Sequence, residues 1–128
     1  MTSVEVPYSI AAALPTLAAL DITNDVAREV AAAGVESGIA YVSPRAAFGL
    51  VRVQERESGF FSDLEDLLVR LVPLEMDERE RLLAMLLGPR TEQIPIVDGR
   101  LYLGTYQRIF LLSFGAPFSG DWELTLVS

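Results

Sequence analysis

The chain contains no cysteine and no histidine. Without cysteine there are no disulfides, no thiolate nucleophile and no thiolate metal site. Without histidine the commonest metal ligand is missing, and so is the usual general base near neutral pH. Any bound metal would have to be a hard ion held by carboxylate oxygens. Basic residues are scarce as well. Ten Lys and Arg face 18 Asp and Glu, a net charge of −8, with a pI near 4.4. Such a chain is repelled by nucleic acid and by anionic membrane surfaces. No apolar run is long enough to span a bilayer. Residues 1–20 lack a basic opening, and Glu5 and Pro7 interrupt their apolar character, so no secretory signal is expected. These absences lead to the expectation of a cytoplasmic protein with no nucleic-acid or membrane partner and no cofactor.

What is present is a globular composition. Hydrophobic residues make up 51% and charged residues 22% of the 128 positions, enough for one domain over residues 1–128 with a real core. Val4, Val6, Tyr8 and Ile10 begin a strand broken near Pro7. The Ala/Leu-rich residues 11–20 have helical propensity, but Pro15 sits inside them and strand plus loop is the preferred reading. Asp21-Ile22-Thr23-Asn24 opens a helix: Asp21 or Thr23 can cap, and Asp25 suits the first turn. Val26, Ala27, Val30, Ala31 and Ala33 form its apolar stripe, and Gly34 ends it. Ser37-Gly38 reads as a turn, 39–43 as a strand, and 44–55 as a second strand with Leu50, Val51 and Val53 as its apolar positions. Two capping boxes follow, Ser62-Asp63-Leu64-Glu65 and Asp77-Glu78-Arg79-Glu80. The first precedes a helix carrying Leu64, Leu67, Leu68 and Leu71 and stopped by Pro73. The second opens a helix through Leu82, Leu83, Met85 and Leu86 to Gly88. Gly115-Ala116-Pro117 is a turn, and Trp122 to Val127 a last strand.

Residues 86–114 organise the rest. Gly88-Pro89 stops a helix, Ile94, Ile96 and Val97 make a short strand, and Asp98-Gly99 is a strong hairpin signal because both residues tolerate positive φ. Leu101, Leu103 and residues 109–114 return as strand. The pattern is α+β: a β-sandwich-like arrangement of mixed or antiparallel sheets with two to three flanking helices.

The same stretch resembles the C-terminal signature of the YjbQ family. Leu-Leu-Gly-Pro, a short strand, then Val-Asp-Gly-Arg-Leu-x-Leu-Gly-Thr-Trp-Gln-x-Ile-Phe-Leu is matched without a gap, with Tyr106 in place of the Trp. The resemblance implies a β-sandwich with flanking helices, assembly as a homotrimer, and a secondary thiamine-phosphate synthase activity. It also implies three histidines converging on a cleft. The first, in a Pro-His-Thr-Thr-Ala strand motif, falls on Arg45 of Pro44-Arg45-Ala46-Ala47-Phe48. The loop of the second is deleted around residues 73–77, and the third falls on Arg81. The family's Asn-Glu after the first motif becomes Val53-Gln54, and its Glu and Asp near the end of the signature become Ser113 and Gly115. Arginine does not act as a base near pH 7 and repels a metal cation. The family's acid–base or metal chemistry is therefore expected to be absent.

The candidate ligand-binding residues are Arg45, Arg81, Gln107, Thr105 and Arg100, with no catalytic residue and no metal ligand. Converging guanidiniums at Arg45 and Arg81 would suit phosphate or carboxylate. Alternatively Arg81 pairs with Asp77 on a solvated helix face, and Arg45 meets solvent or an acidic neighbour. Gln107 and Thr105 either line the former cleft or are ordinary polar strand positions. Three functions follow: a non-catalytic or site-converted trimer that binds a small anion, a synthase-like enzyme with a rebuilt histidine-free site, or a structural trimer.

Overall fold

The computed structural model describes residues 10–57, 59–115 and 118–128. Among the described residues eight strands and three helices follow one another as β1 (Ile10–Ala13), β2 (Leu17–Asp21), α1 (Thr23–Ala33), β3 (Gly38–Pro44), β4 (Gly49–Glu55), α2 (Phe60–Leu71), α3 (Arg79–Leu87), β5 (Glu92–Val97), β6 (Arg100–Leu101), β7 (Gln107–Phe114) and β8 (Trp122–Val127). They build two four-stranded sheets, β1-β2-β7-β4 and β6-β5-β3-β8, with every pairing antiparallel.

Two apolar layers hold these parts together. Between the sheets lie Val26 and Val30 of α1, Ala40 and Val42 of β3, Ile94 and Ile96 of β5, and Ile109 and Leu111 of β7. Beyond the first sheet, Phe61 and Leu68 of α2 and Leu83 of α3 cover Leu50, Phe110, Leu112 and Phe114. β7 is central and covered on both faces, which is why residues 109–114 show no polar alternation. The second sheet has its other face open: Ile39, Pro95 and Val127 lie side by side on it, with Tyr41, Gln93 and Thr125 in the next rank.

The α+β reading of the sequence holds, and so does strand rather than helix for the Ala/Leu-rich segment. β1 and β2 pair around a turn that contains Pro15, closed by the Leu14 amide donating to the Leu17 carbonyl. The residues of the expected first strand before Ile10 lie outside the described part, as do two of the three in the turn at 115–117. The Asp98-Gly99 hairpin is present, with φ of 54° and 77°.

Several local expectations are corrected. The strand expected over 44–55 is two elements: Pro44 ends β3 in one sheet, residues 45–48 cross over, and β4 starts at Gly49 in the other. Gly38 is not in a turn but pairs within β3, where a Cβ would stand 2.2 Å from the Val127 carbonyl oxygen. Neither capping box forms. α2 begins at Phe60 after a left-handed Gly59, which puts Ser62 inside the helix. Glu65 instead accepts from the Thr16 amide at 2.6 Å and the Thr16 hydroxyl at 2.8 Å, a tertiary tie to the β1–β2 turn. α3 starts after a left-handed Glu78, with no side-chain cap. In α1, Val26 and Val30 are buried while Ala27, Ala31 and Ala33 face solvent, a narrower stripe than expected.

Candidate functional site

The residues singled out in the sequence do not meet. Arg45 sits on the 45–48 crossover, in an open cleft with Asp25, Glu29 and Trp122, and its Nε lies 3.7 Å from Glu123 Oε1. Arg81 projects from α3 into a different cavity and donates to Glu78 Oε1 at 3.0 Å. Its partner is thus Glu78 rather than the expected Asp77. Both ion pairs are well exposed, so each contributes little to stability. The convergence of Arg45 and Arg81 fails because β3 and β4 belong to different sheets. Arg45 is held at the start of the crossover, its amide donating to the Asp121 carbonyl, whereas Ala47 and Phe48 at the other end border the cavity with Arg81.

Gln107 and Thr105 share the turn that leads into β7. The Gln107 side chain folds back locally: its Oε1 accepts the Gly104 amide at 2.7 Å, and the Gln107 backbone amide donates to the Gly104 carbonyl. Arg100 is exposed on β6. Arg100 thus belongs to the second sheet, whereas Gln107 opens β7 in the first.

A second arginine does join Arg81. Arg90, just after Gly88-Pro89, lines the same cavity, which holds about 230 Å³ between the 45–48 crossover and α3. Phe48, Leu50 and Met85 form its apolar wall. Arg90 Nη2 donates to the Pro44 and Ala46 carbonyls at 2.8 and 3.0 Å, which anchors the guanidinium. Its remaining donors meet no acceptor among the described residues. The outcome is one anchored cation, Arg90, and one exposed cation, Arg81, beside an apolar wall, a geometry suited to an anion with an organic body. No local signal marks Arg90 in the sequence. Its role depends on the crossover folding over it.

The most heavily engaged charge in the fold is Asp21, whose side chain is 2% exposed. Oδ1 accepts from the Thr23 amide and hydroxyl at 3.1 and 2.6 Å, and Oδ2 accepts from Arg108 Nε at 2.9 Å and from Arg56 Nη1 at 3.3 Å. Thr23 Oγ1 in turn accepts the Ile109 amide at 2.7 Å. Burial alone would raise the carboxyl pKa. The hydrogen bonds from Thr23 and Arg108, with the Arg108 charge, outweigh it and hold the pKa below its ordinary value. This network fastens the end of β2 to β7 and to the start of α1. Its donors leave no open position for a proton transfer, so its part is structural. Among the described residues no three carboxylates cluster as a metal site.

Another cavity, of about 200 Å³, lies under α2 between Phe60, Phe61, Leu64 and Phe110. Arg52 stands at its edge, bonded to the carbonyls of Val51, Leu87 and Pro89, and so ties the end of α3 to β4.

Two antiparallel sheets, with α2 and α3 on the outer face of the first, define an α+β sandwich. Residues 14–121 match the family of the UPF0047 protein YjbQ-like, and the chain belongs to that family. A UPF0047 protein of Methanothermobacter thermautotrophicus is 30% identical, over 77% of this chain and 74% of the relative. One from Archaeoglobus fulgidus is 33% identical, over 77% and 82%. Among solved structures, a YjbQ/UPF0047 protein of unknown role from Clostridium acetobutylicum superposes with a TM-score of 0.78 at 26% identity, covering 87% of this chain and 92% of its own. A hypothetical protein from Aeropyrum pernix gives 0.76 at 25%, covering 87% and 89%. The relatives share the fold, and their descriptions assign no activity.

Proposed function

We propose that this chain is a non-catalytic, site-converted YjbQ-like protein that binds a small anionic metabolite, such as a phosphate ester, between Arg81 and Arg90. The observation that carries this reading is the pairing of those two guanidiniums on one cavity beside Phe48 and Met85. Arg90 takes the part that the sequence alone gave to Arg45. The lack of any histidine speaks against the synthase-like chemistry implied by the family resemblance. The assembly that accompanies this reading is a cytoplasmic homotrimer. Its contact surface is the open face of the second sheet, where Ile39, Pro95 and Val127 adjoin and Val97 and Val127 are about half exposed.

The test is thermal unfolding with a panel of phosphate esters and divalent metals, compared between the parent and Arg81→Gln/Arg90→Lys. Lysine at 90 keeps the charge and loses the fork. A ligand at about a hundredfold its Kd stabilises by about 2.7 kcal/mol, a shift easily resolved. An ester that raises the parent's Tm and not that of the double variant supports the reading. Stabilisation by a metal instead, or turnover in a direct assay for thiamine phosphate formation, overturns it.

A further inference from the structure

The largest departure from a well-covered surface lies on α2, α3 and the loop between them. Leu67, Leu71, Leu74, Met76, Leu82, Met85 and Leu86 are all exposed, Leu71, Leu74, Met85 and Leu86 to more than half of their area. Helical geometry orders them. α2 and α3 run antiparallel: Arg79 Nε donates to the Val72 carbonyl at one end, and Leu64 and Leu87 line one cavity at the other. In α2 the core stripe is Phe61 and Leu68, and Leu67 and Leu71 follow at four-residue spacing on the Leu64 side, towards α3. In α3 the core stripe is Arg79, Leu83 and Leu87. Ala84 and Met85 turn to the Arg81–Arg90 cavity, which leaves Leu82 and Leu86 on the opposite flank, towards α2. Leu67, Leu71, Leu82 and Leu86 therefore edge a groove between two antiparallel helices, with Leu74 and Met76 at its loop end.

The surroundings decide what fits. Asp63, Asp66, Glu75, Asp77 and Glu78 are exposed around this groove, against Arg70 and Arg81, and Arg81 is already paired with Glu78. A second copy would set the same carboxylates against each other, in a chain that carries −8 overall. An anionic bilayer would be repelled for the same reason.

We propose that the α2–α3 groove is a docking site for an amphipathic helix of a partner protein, its apolar stripe flanked by lysine and arginine. The partner helix lays its apolar stripe along Leu67, Leu71, Leu82 and Leu86, and its cations meet the acidic rim. The groove matches about 18 Å of α2, or three to four turns of the incoming helix.

The test uses a fluorescent Leu/Lys amphipathic helical peptide, with a Leu/Glu version of the same pattern and a scrambled Leu/Lys peptide as comparisons. Binding is read by anisotropy at two salt concentrations. The Leu/Lys helix is expected to bind the parent, more weakly at high salt, and to bind Leu67→Gln/Leu86→Gln at least about tenfold more weakly. Tyr102→Gln, exposed beside β6 in the second sheet, is expected to leave binding unchanged. All of these leucines are exposed, so the variants keep the core intact, which circular dichroism verifies. Equal binding of the Leu/Glu helix or the scrambled peptide overturns the proposal. So does undiminished binding to the double leucine variant. Self-association of the parent that the double variant abolishes also overturns it, by assigning the groove to a second copy.

Discussion

At the scale of single residues, one carboxylate matters most for stability. Asp21 is buried and accepts four hydrogen bonds, two of them from arginines. Asp21→Asn keeps the size and removes the charge that Arg108 and Arg56 face. A cost of about 2–3 kcal/mol is expected at neutral pH, measured by urea unfolding. The pH dependence has a definite sign. The folded pKa lies below the ordinary value of 3.8, so the stabilisation is complete above that value and is lost as pH falls through the folded pKa. The gap between parent and Asp21→Asn is therefore expected to be constant from neutral pH down to about 4 and to narrow below it. A gap that stays constant into strong acid would remove the carboxylate from the account of acid lability. Asp21 was legible in the sequence only as a helix-start residue. Its arginine partners lie 35 and 87 positions further along the chain, and no local rule connects them.

At the scale of elements, the fold separates rules that depend on neighbours in sequence from rules that depend on neighbours in space. Gly34 ends α1 in the left-handed conformation, and Asp98-Gly99 turns the β5–β6 hairpin, because both depend on a few adjacent dihedrals. The Ser62 capping box fails because Glu65 gains two hydrogen bonds from Thr16, which lies 49 residues away, in place of one from its own helix start. Gly38 shows the same division. Its sequence context reads as a turn, yet its lack of a side chain serves the approach of β8. Gly38→Ala would set a methyl 2.2 Å from the Val127 oxygen, so β3 and β8 must part locally. A loss of about 2 kcal/mol or more is expected, together with faster amide exchange along β8. Gly34→Ala, where nothing lies within 4 Å, carries only the backbone cost of positive φ, about 1 kcal/mol.

At the scale of the whole molecule, three layers leave two faces unequal. Helices α2 and α3 cover the first sheet, and the second sheet is bare on its outer side. The homotrimer proposed above buries that bare face. Light scattering is expected to give three times the protomer mass, and Val127→Lys/Pro95→Lys to give a folded monomer, since neither side chain is part of the core. A monomeric parent at micromolar concentration would discard the assembly while leaving the anion and helix-docking proposals standing. The sequence by itself determined the class of fold, most of the elements, and the loss of histidine chemistry. Composition, hydrophobic period and turn residues act over a few neighbouring positions, and zero histidines needs no structure to interpret. Only the tertiary structure decided which arginines share a cavity and which leucines remain outside. The 45–48 crossover sends β3 and β4 to different sheets, and Arg45 and Arg81 line different cavities while Arg90 shares the one with Arg81. The leucine spacing of α2 and α3 forecast amphipathic helices, yet each helix gives the core only part of its apolar face. How much of a helix is covered depends on the surface opposite it, and that surface is assembled from strands distant in the chain.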